Sequence, residues 1–135
     1  MDICDSVHQV LGQKESFADV FYLVFLENYP EVRQHFAQVN FKHQNALLTM
    51  ALMVMERHYR YHYPATEMYL NYLGTKHDER GIPPQLYPLF RDALMASLQR
   101  FHGQAWDDHL AQQWRIAIDE TMESMIRGYR KHHHV

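Results

Sequence analysis

The stretch YLNYLGTKHDERGIPPQLYPLF, residues 69–90, carries the local signals that decide the fold. It contains His77, then Gly81, and then the proline pair Pro83 and Pro84. Glycine permits the left-handed backbone conformation in which helices end, and proline suits the first turn of a helix because it has no N–H to lose there. The segment therefore predicts a helix that carries His77 near its end and stops before Gly81, followed by a new helix from residue 84.

Apolar residues elsewhere recur at steps of three and four, the period of a helix that buries one face. Three such stripes comprise Leu47, Leu48, Ala51, Leu52, Met55 and Tyr59; Leu86, Phe90, Ala93, Leu94, Ser97, Leu98 and Phe101; and Leu110, Trp114, Ala117, Ile118, Thr121, Met122, Met125 and Tyr129. No window shows the sustained alternation of a β-strand. We predict an all-α protein with helices at residues 2–12, 16–28, 30–36, 42–61, 66–79, 84–102 and 107–130.

Residues at the predicted helix ends support these boundaries. Ser16 followed by Asp19 resembles a capping box, which predicts a helix start at residue 16. Pro30 is expected in the first turn of a short helix. Asp107 or Asp108 is expected to cap the last helix, because a carboxylate accepts hydrogen bonds from the unpaired N–H groups there.

Length and composition exclude several classes of protein. A chain of 135 residues with 47% hydrophobic and 21% charged residues is expected to form one globular domain. The formal charge of −3 argues against a nucleic-acid partner, and the single cysteine, Cys4, excludes an internal disulfide. The N-terminus lacks the features of a secretory signal, and no apolar run is long enough to span a membrane. We expect a cytoplasmic protein without a membrane partner.

Eleven histidines are many for this length, and histidine is the commonest metal ligand. The basic, histidine-rich tail at residues 130–135 is left out of the functional argument, because such a terminus is typically solvated. His58 and His62 are four residues apart on one helix face and could together chelate a metal. The sequence indicates no third ligand for them, which favours a solvated face.

The segment at residues 69–90 and four others, in this order, resemble the globin family, specifically bacterial single-domain globins and the haem domain of flavohaemoglobins. FYLVFLENYPEVRQHF (21–36) resembles their B and C helices, and NFKHQNALLTMAL (40–52) resembles their E helix. LYPLFRDALMASLQRFHG (86–103) and WDDHLAQQWRIAIDETMESMIRGY (106–129) resemble their G and H helices. The resemblance extends over about residues 17–129 and implies a three-on-three helical sandwich that encloses haem b, with a short A helix.

The resemblance assigns His77 as the proximal ligand of the haem iron. Neutral imidazole suits this role, since one ring nitrogen binds iron while the other forms a hydrogen bond. The alternative is a surface histidine, because Lys76, Asp78 and Glu79 are charged neighbours. Leu73, four residues earlier on the same helix face, and the matching proximal segment favour the ligand.

On the gas-binding side, the resemblance assigns Tyr22 and Gln44 as distal hydrogen-bond donors, with Leu48 projecting over the haem from the same helix face as Gln44. A phenol and an amide both donate hydrogen bonds, which stabilise dioxygen because it carries partial negative charge when bound. The alternatives are a core aromatic for Tyr22 and a solvated side chain for Gln44. A register shift of one residue would put His43 in place of Gln44, as a sixth iron ligand.

The resemblance also supplies the expected pocket walls. Phe36 matches a phenylalanine that wedges the haem ring, and the other expected walls are Phe41, Met55, Leu73, Ile82, Tyr87, Phe90 and Leu94. Tyr87 matches a tyrosine that flavohaemoglobins pair with a glutamate late in the H helix. The aligned residues 125–129 read MIRGY, which contains no glutamate. This difference puts the electron-donating proximal network of those enzymes in doubt.

These residues together predict a haem protein that reversibly binds dioxygen or another diatomic gas, such as nitric oxide or carbon monoxide. One alternative is an enzyme that oxidises nitric oxide and depends on a separate reductase, because the chain ends near the H helix. Another is a gas-sensing or interaction module. We expect a gas-binding protein more than an enzyme, and a monomer or a homodimer.

Overall fold

The computed structural model describes residues 1–133, and the side chains of all of these except 14, 15 and 131–133. Within this range the chain is helical and has no β-strand, which confirms the all-α prediction. The α-helices are α1 (Ile3–Gly12), α2 (Lys14–Asn28), α3 (Phe41–Tyr61), α4 (Pro64–Glu79), α5 (Tyr87–His102) and α6 (Asp108–His133). Short 3-10 helices span Pro30–Phe36, Pro84–Leu86 and Gly103–Ala105. No helix in the described part of the chain is long and apolar enough to cross a lipid bilayer.

The start of α2 differs from the prediction. This helix begins at Lys14, directly after α1, and its N-cap residue Gln13 forms no side-chain capping bond. The predicted capping box at Ser16 is therefore wrong. The physical reason is a backbone bond: the Phe17 N–H donates to the Gln13 carbonyl at 3.0 Å, so the first turn of the helix lies upstream of Ser16 and leaves it no capping role.

The other local signals agree with the structure. Pro30 lies in the first turn of its 3-10 helix. Gly81 has a φ of 78°, in the left-handed region, directly after the end of α4. The carboxylate of Asp107 accepts a hydrogen bond from the N–H of Leu110 at 2.8 Å, so Asp107 rather than Asp108 caps α6.

α4 and α6 cross in direct backbone contact at two glycines. A Cβ atom on Gly128 would lie 1.9 Å from the carbonyl oxygen of Asn71, and one on Gly74 would meet the α6 backbone at the same distance. Hydrogen bonds reinforce the contact: Asn71 Nδ2 donates to the Ser124 carbonyl at 2.8 Å, and Thr75 Oγ1 donates to the Gly128 carbonyl at 3.0 Å. The backbones therefore touch, and the position of α4 follows from α6.

A buried polar network joins the first helix to the C-terminal pair. Trp114 Nε1 donates to Ser6 Oγ at 2.9 Å, and Ser6 Oγ lies 2.6 Å from His102 Nε2. The His102 ring stacks on Trp106, with 6.2 Å between the ring centroids. Because these groups come from α1, α5 and α6, the network holds α1 against the core.

The two helices α3 and α4 make few contacts with each other. α3 rests on α1, α2 and α6, whereas α4 rests mainly on α6. The expected distal residues on α3 and His77 on α4 are therefore held by separate sets of contacts.

Replacing Gly128 with alanine is expected to lower the free energy of unfolding by at least about 3 kcal/mol, because the new Cβ would collide with backbone atoms that cannot rotate away. Gly12→Ala is the matched control, since an added Cβ at the end of α1 has no neighbour within 4 Å. Urea unfolding followed by circular dichroism measures both effects. Equal stability of the two variants would contradict the close crossing.

Candidate functional site

His77 lies half-buried in the last turn of α4. Its Nδ1 atom is 2.8 Å from the carbonyl oxygen of Leu73, one turn earlier. A carbonyl only accepts hydrogen bonds, so Nδ1 carries the proton and donates it. In a neutral ring Nε2 then keeps its lone pair, and no residue in the described part of the chain forms a hydrogen bond with it. The arrangement leaves Nε2 available to bind a metal atom.

Burial lowers the pKa of His77, with the donated bond to Leu73 opposing the shift and the charge of Arg80 adding to it. The neutral imidazole is the form that binds metals. The folded chain therefore prefers the ligand form, and protonation of His77 opposes folding as the pH falls below about 6.5, its value in the unfolded chain.

Two tyrosines lie behind His77. The ring of Tyr87 contacts the ring of His77 edge-on, at 6.3 Å between centroids, and the ring of Tyr129, at 5.8 Å. Tyr129 donates its hydroxyl to the carbonyl of Ile82 at 2.7 Å, and the Ile82 N–H donates to the His77 carbonyl at 3.1 Å. α6 therefore ties down the turn that follows His77.

Tyr129 is the residue that the sequence reasoning missed. The resemblance implies a glutamate near Tyr87, residues 125–129 contain none, and the structure has the ring of Tyr129 against the ring of Tyr87. Burial, and after it the neighbouring Tyr129 hydroxyl, raises the pKa of Tyr87. The sequence did contain a signal for Tyr129. It lies on the apolar stripe of α6, and a buried tyrosine hydroxyl usually has a hydrogen-bond partner, here the Ile82 carbonyl.

Tyr22 is buried on α2. Its ring makes edge contacts with Phe36 and Phe41, at 5.7 and 5.4 Å between centroids. Its hydroxyl donates to the backbone carbonyl of Gln44 at 3.4 Å, a long and hence weak bond that is easily exchanged for another. Burial raises the pKa of Tyr22 to about 12, so its hydroxyl remains a donor at neutral pH.

The first turns of α3 set the register of the remaining expected distal residues. Asn40 caps the helix by accepting a bond from the His43 N–H at 3.2 Å, and the His43 side chain is exposed. Gln44 is half-buried, and Leu48 is buried in the next turn. The greater burial of Gln44 favours Gln44 over His43 as the distal residue of α3.

The remaining expected walls differ in burial. Tyr87, Met55 and Leu94 are buried, Phe36, Ile82 and Phe90 are partly buried against the core, and Leu73 is half-buried. Phe41 is 40% exposed at the start of α3.

The structure brings the site residues together in two groups. The distal group is Tyr22, Phe36, Phe41 and Gln44; the proximal group is Leu73, His77, Ile82 and Tyr87. Among the described residues, no hydrogen bond or ring contact joins one group to the other.

An open cavity of about 280 Å³ lies beside the distal group, between α2 and the start of α3. Its lining is largely apolar and consists of Asp19, Tyr22, Leu23, Leu26, Glu27, Phe41 and Asn45. The cavity therefore lies against Tyr22, and none of the proximal group lines it.

The sequence of this chain matches one protein family model and is similar to several known proteins. Residues 18–125 match the Globin family model. The flavohemoproteins of Candida norvegensis and Chromobacterium violaceum are 27% and 30% identical over 107 and 109 residues, which are 78% of this chain and 27% and 26% of those proteins. The neuroglobin of Tetraodon nigroviridis is 35% identical over 65 residues, 48% of this chain and 41% of that protein. This chain thus matches less than half the length of each relative.

The raised pKa of Tyr22 predicts a specific result in an alkaline titration of the nine tyrosines. Native wild type and Tyr22→Phe should show the same tyrosinate absorbance up to about pH 11, where a phenol of pKa about 12 is only about one-tenth ionised. When both proteins are unfolded in urea at about pH 11, the wild type should show one phenolate more than Tyr22→Phe, because an unfolded tyrosine ionises near pH 10. A difference between the native proteins already at pH 10 would contradict the burial argument.

Proposed function

The chain belongs to the globin family, and we propose on this basis that it binds haem b and reversibly binds dioxygen or another diatomic gas. The observation that carries the proposal is the state of His77. Its proton is held on Nδ1 by the Leu73 carbonyl, burial favours its neutral form, and Nε2 has no partner in the described part of the chain.

The donor set of the site suits haem. His77 would bind the iron through Nε2, as in other proteins in which a histidine holds haem. The bond from Nδ1 to Leu73 would keep the ring from rotating, and such bonds strengthen a histidine as a ligand. Partly buried Phe36, Ile82 and Phe90 would contribute apolar walls. The bound iron would supply the atom at which a gas binds.

Tyr22 and Gln44 would act on the gas side. The Tyr22 hydroxyl is protonated at neutral pH and makes only a long bond to the Gln44 carbonyl, so it can turn to donate to a gas molecule. The Gln44 amide is the second donor. In surroundings as apolar as those of Tyr22, each donated hydrogen bond is expected to stabilise the bound gas by about 1 kcal/mol or more.

Replacing His77 with alanine is expected to remove most tightly held haem, because the side chain that binds the iron is lost. The absorption spectrum of the purified protein measures this through its Soret band, and added imidazole should restore the band. His43→Ala, at an exposed histidine, is the control and should keep haem. Full haem retention by His77→Ala would exclude His77 as the ligand.

Tyr22→Phe and Gln44→Leu are each expected to speed dioxygen release about fivefold, the equivalent of about 1 kcal/mol per donor. Tyr63→Phe is the matched control, since Tyr63 is half exposed and stacks on Tyr61. Stopped-flow displacement of dioxygen by carbon monoxide gives the rates. Unchanged rates in both distal variants would show that the distal group is assigned wrongly.

A second candidate function is the oxidation of nitric oxide by dioxygen, with electrons from a reductase on another chain. The similarity to two flavohemoproteins, at 27% and 30% identity over 78% of this chain, supports it. The resemblance implies a glutamate near Tyr87 in such enzymes; residues 125–129 contain none and Tyr87 contacts Tyr129, which weighs against this function. Sustained consumption of nitric oxide with a cellular reductant would distinguish this function from gas binding alone.

A further inference from the structure

Three metal-binding side chains from two helices meet outside the proximal and distal groups. They are His58 and His62, from the end of α3, and Glu120 from α6. One ligand atom from each lies within 4.8 Å of the other two. We propose that these residues form a second metal site, for a divalent transition metal such as Zn²⁺, that joins the end of α3 to α6.

The donor set determines the class of metal. Two imidazole nitrogens and one carboxylate oxygen suit zinc, copper and nickel ions, whereas magnesium and calcium prefer oxygen alone. In a tetrahedral zinc site with bonds of about 2.1 Å, ligand atoms lie about 3.4 Å apart. The ligand atoms of the three side chains lie within 4.8 Å of one another, so a bound metal would bring them to this separation. His62 Nε2 and Glu120 Oε2 are 2.5 Å apart, a hydrogen bond that the metal would replace, and the centroids of the two histidine rings are 5.0 Å apart.

His58 is prepared for such a role. It is buried, and its Nδ1 atom has no hydrogen-bond partner in the described part of the chain. A buried polar atom without a partner is uncommon in native proteins and calls for an explanation. Burial lowers the pKa of His58, with the neighbouring His62 adding to the shift and the carboxylates of Glu67 and Glu120 opposing it. The shift favours the neutral ring, which is the form that binds a metal.

The carboxylate of Glu67 lies beside this cluster and is occupied by other partners. It accepts hydrogen bonds from Arg127 at 2.7 Å, from Asn71 at 3.2 Å and from Ser124. Its nearer oxygen is 3.7 Å from His58 Nε2, too far for a hydrogen bond, whereas Ser124 Oγ lies 3.3 Å from that nitrogen. Because the Ser124 hydroxyl donates its proton to Glu67, it accepts the Nε2–H of His58 and leaves the lone pair on Nδ1. We assign Glu67 as a positioning residue that acts through Ser124, which leaves the fourth coordination position of the metal to water.

His62 ends α3 with a φ of 50°, the left-handed conformation in which helices commonly stop. Its N–H donates to the His58 carbonyl at 3.0 Å. The position of His62 is therefore set by the helix end, and from there its ring contacts the Glu120 carboxylate.

Zinc titration by calorimetry tests the site. The parent for the experiment carries His132→Ala, His133→Ala and His134→Ala, so that zinc bound by the tail does not contribute. We expect one Zn²⁺ per chain and a higher midpoint of thermal unfolding with zinc, because a ligand that binds only the folded state stabilises it. Glu120→Gln and His62→Asn should each weaken binding about tenfold or more.

Matched controls separate loss of a ligand from general damage. Glu123→Gln changes an exposed carboxylate on the same helix as Glu120, and His109→Asn changes an exposed histidine. Both should bind zinc as the parent does. The side chains of His62 and Glu120 are 54% and 32% exposed, so their replacement leaves the core intact. No zinc binding by the parent, or equal affinity in all variants, would overturn the proposal.

The haem absorption spectrum of every variant keeps this test independent of the proposed function. Zinc affinity that falls in Glu120→Gln while the spectrum is unchanged supports a separate site. A spectrum that changes together with zinc affinity would mean that the added zinc acts at the proximal or distal group, and would overturn the second site.

Discussion

The contact between the backbones of α4 and α6 is the constraint on which the rest of the structure depends. Glycine at positions 74 and 128 lets the two helices approach until a side chain on either would collide with the other backbone. Asn71 and Thr75 then reach α6 carbonyls with their side chains. Because α4 has few contacts with α3, this crossing decides where His77 lies and how firmly it is held.

α6 also organises features on both sides of the glycine crossing. Tyr129, the residue after Gly128, holds the turn after His77 and packs against Tyr87. Nine residues earlier, Glu120 meets His62 at the end of α3. The same helix therefore supports both the helix with the expected proximal residue and the far end of the helix with the expected distal residues. In both places burial lowers the pKa of a histidine, His77 or His58, and thereby favours the form that binds metals.

Local signals predicted the helices well where burial and propensity agree. The break at Gly81 and the cap at Asp107 are found as predicted, because each depends on the backbone within a few residues. The start of α2 was predicted wrongly at Ser16, because the Phe17 N–H is already bonded to the Gln13 carbonyl and the helix begins at Lys14. The ordered helix segments also sufficed to predict the globin family, which the match over residues 18–125 confirms.

The sequence by itself determined the helical class, the family and the position of His77 in the last turn before a glycine stop, because these follow from periodicity and from neighbours along the chain. Tertiary structure alone decided that Tyr129 contacts Tyr87, that Glu120 joins two histidines, and that Gly128 lies against Asn71. Residues 62 and 120 are 58 positions apart, and residues 82 and 129 are 47 apart. Residues so far apart in the chain meet only when helix packing fixes how each helix is rotated about its axis. The hydrophobic period shows which broad face of a helix is buried, but it does not define the rotation finely enough to predict individual contacts.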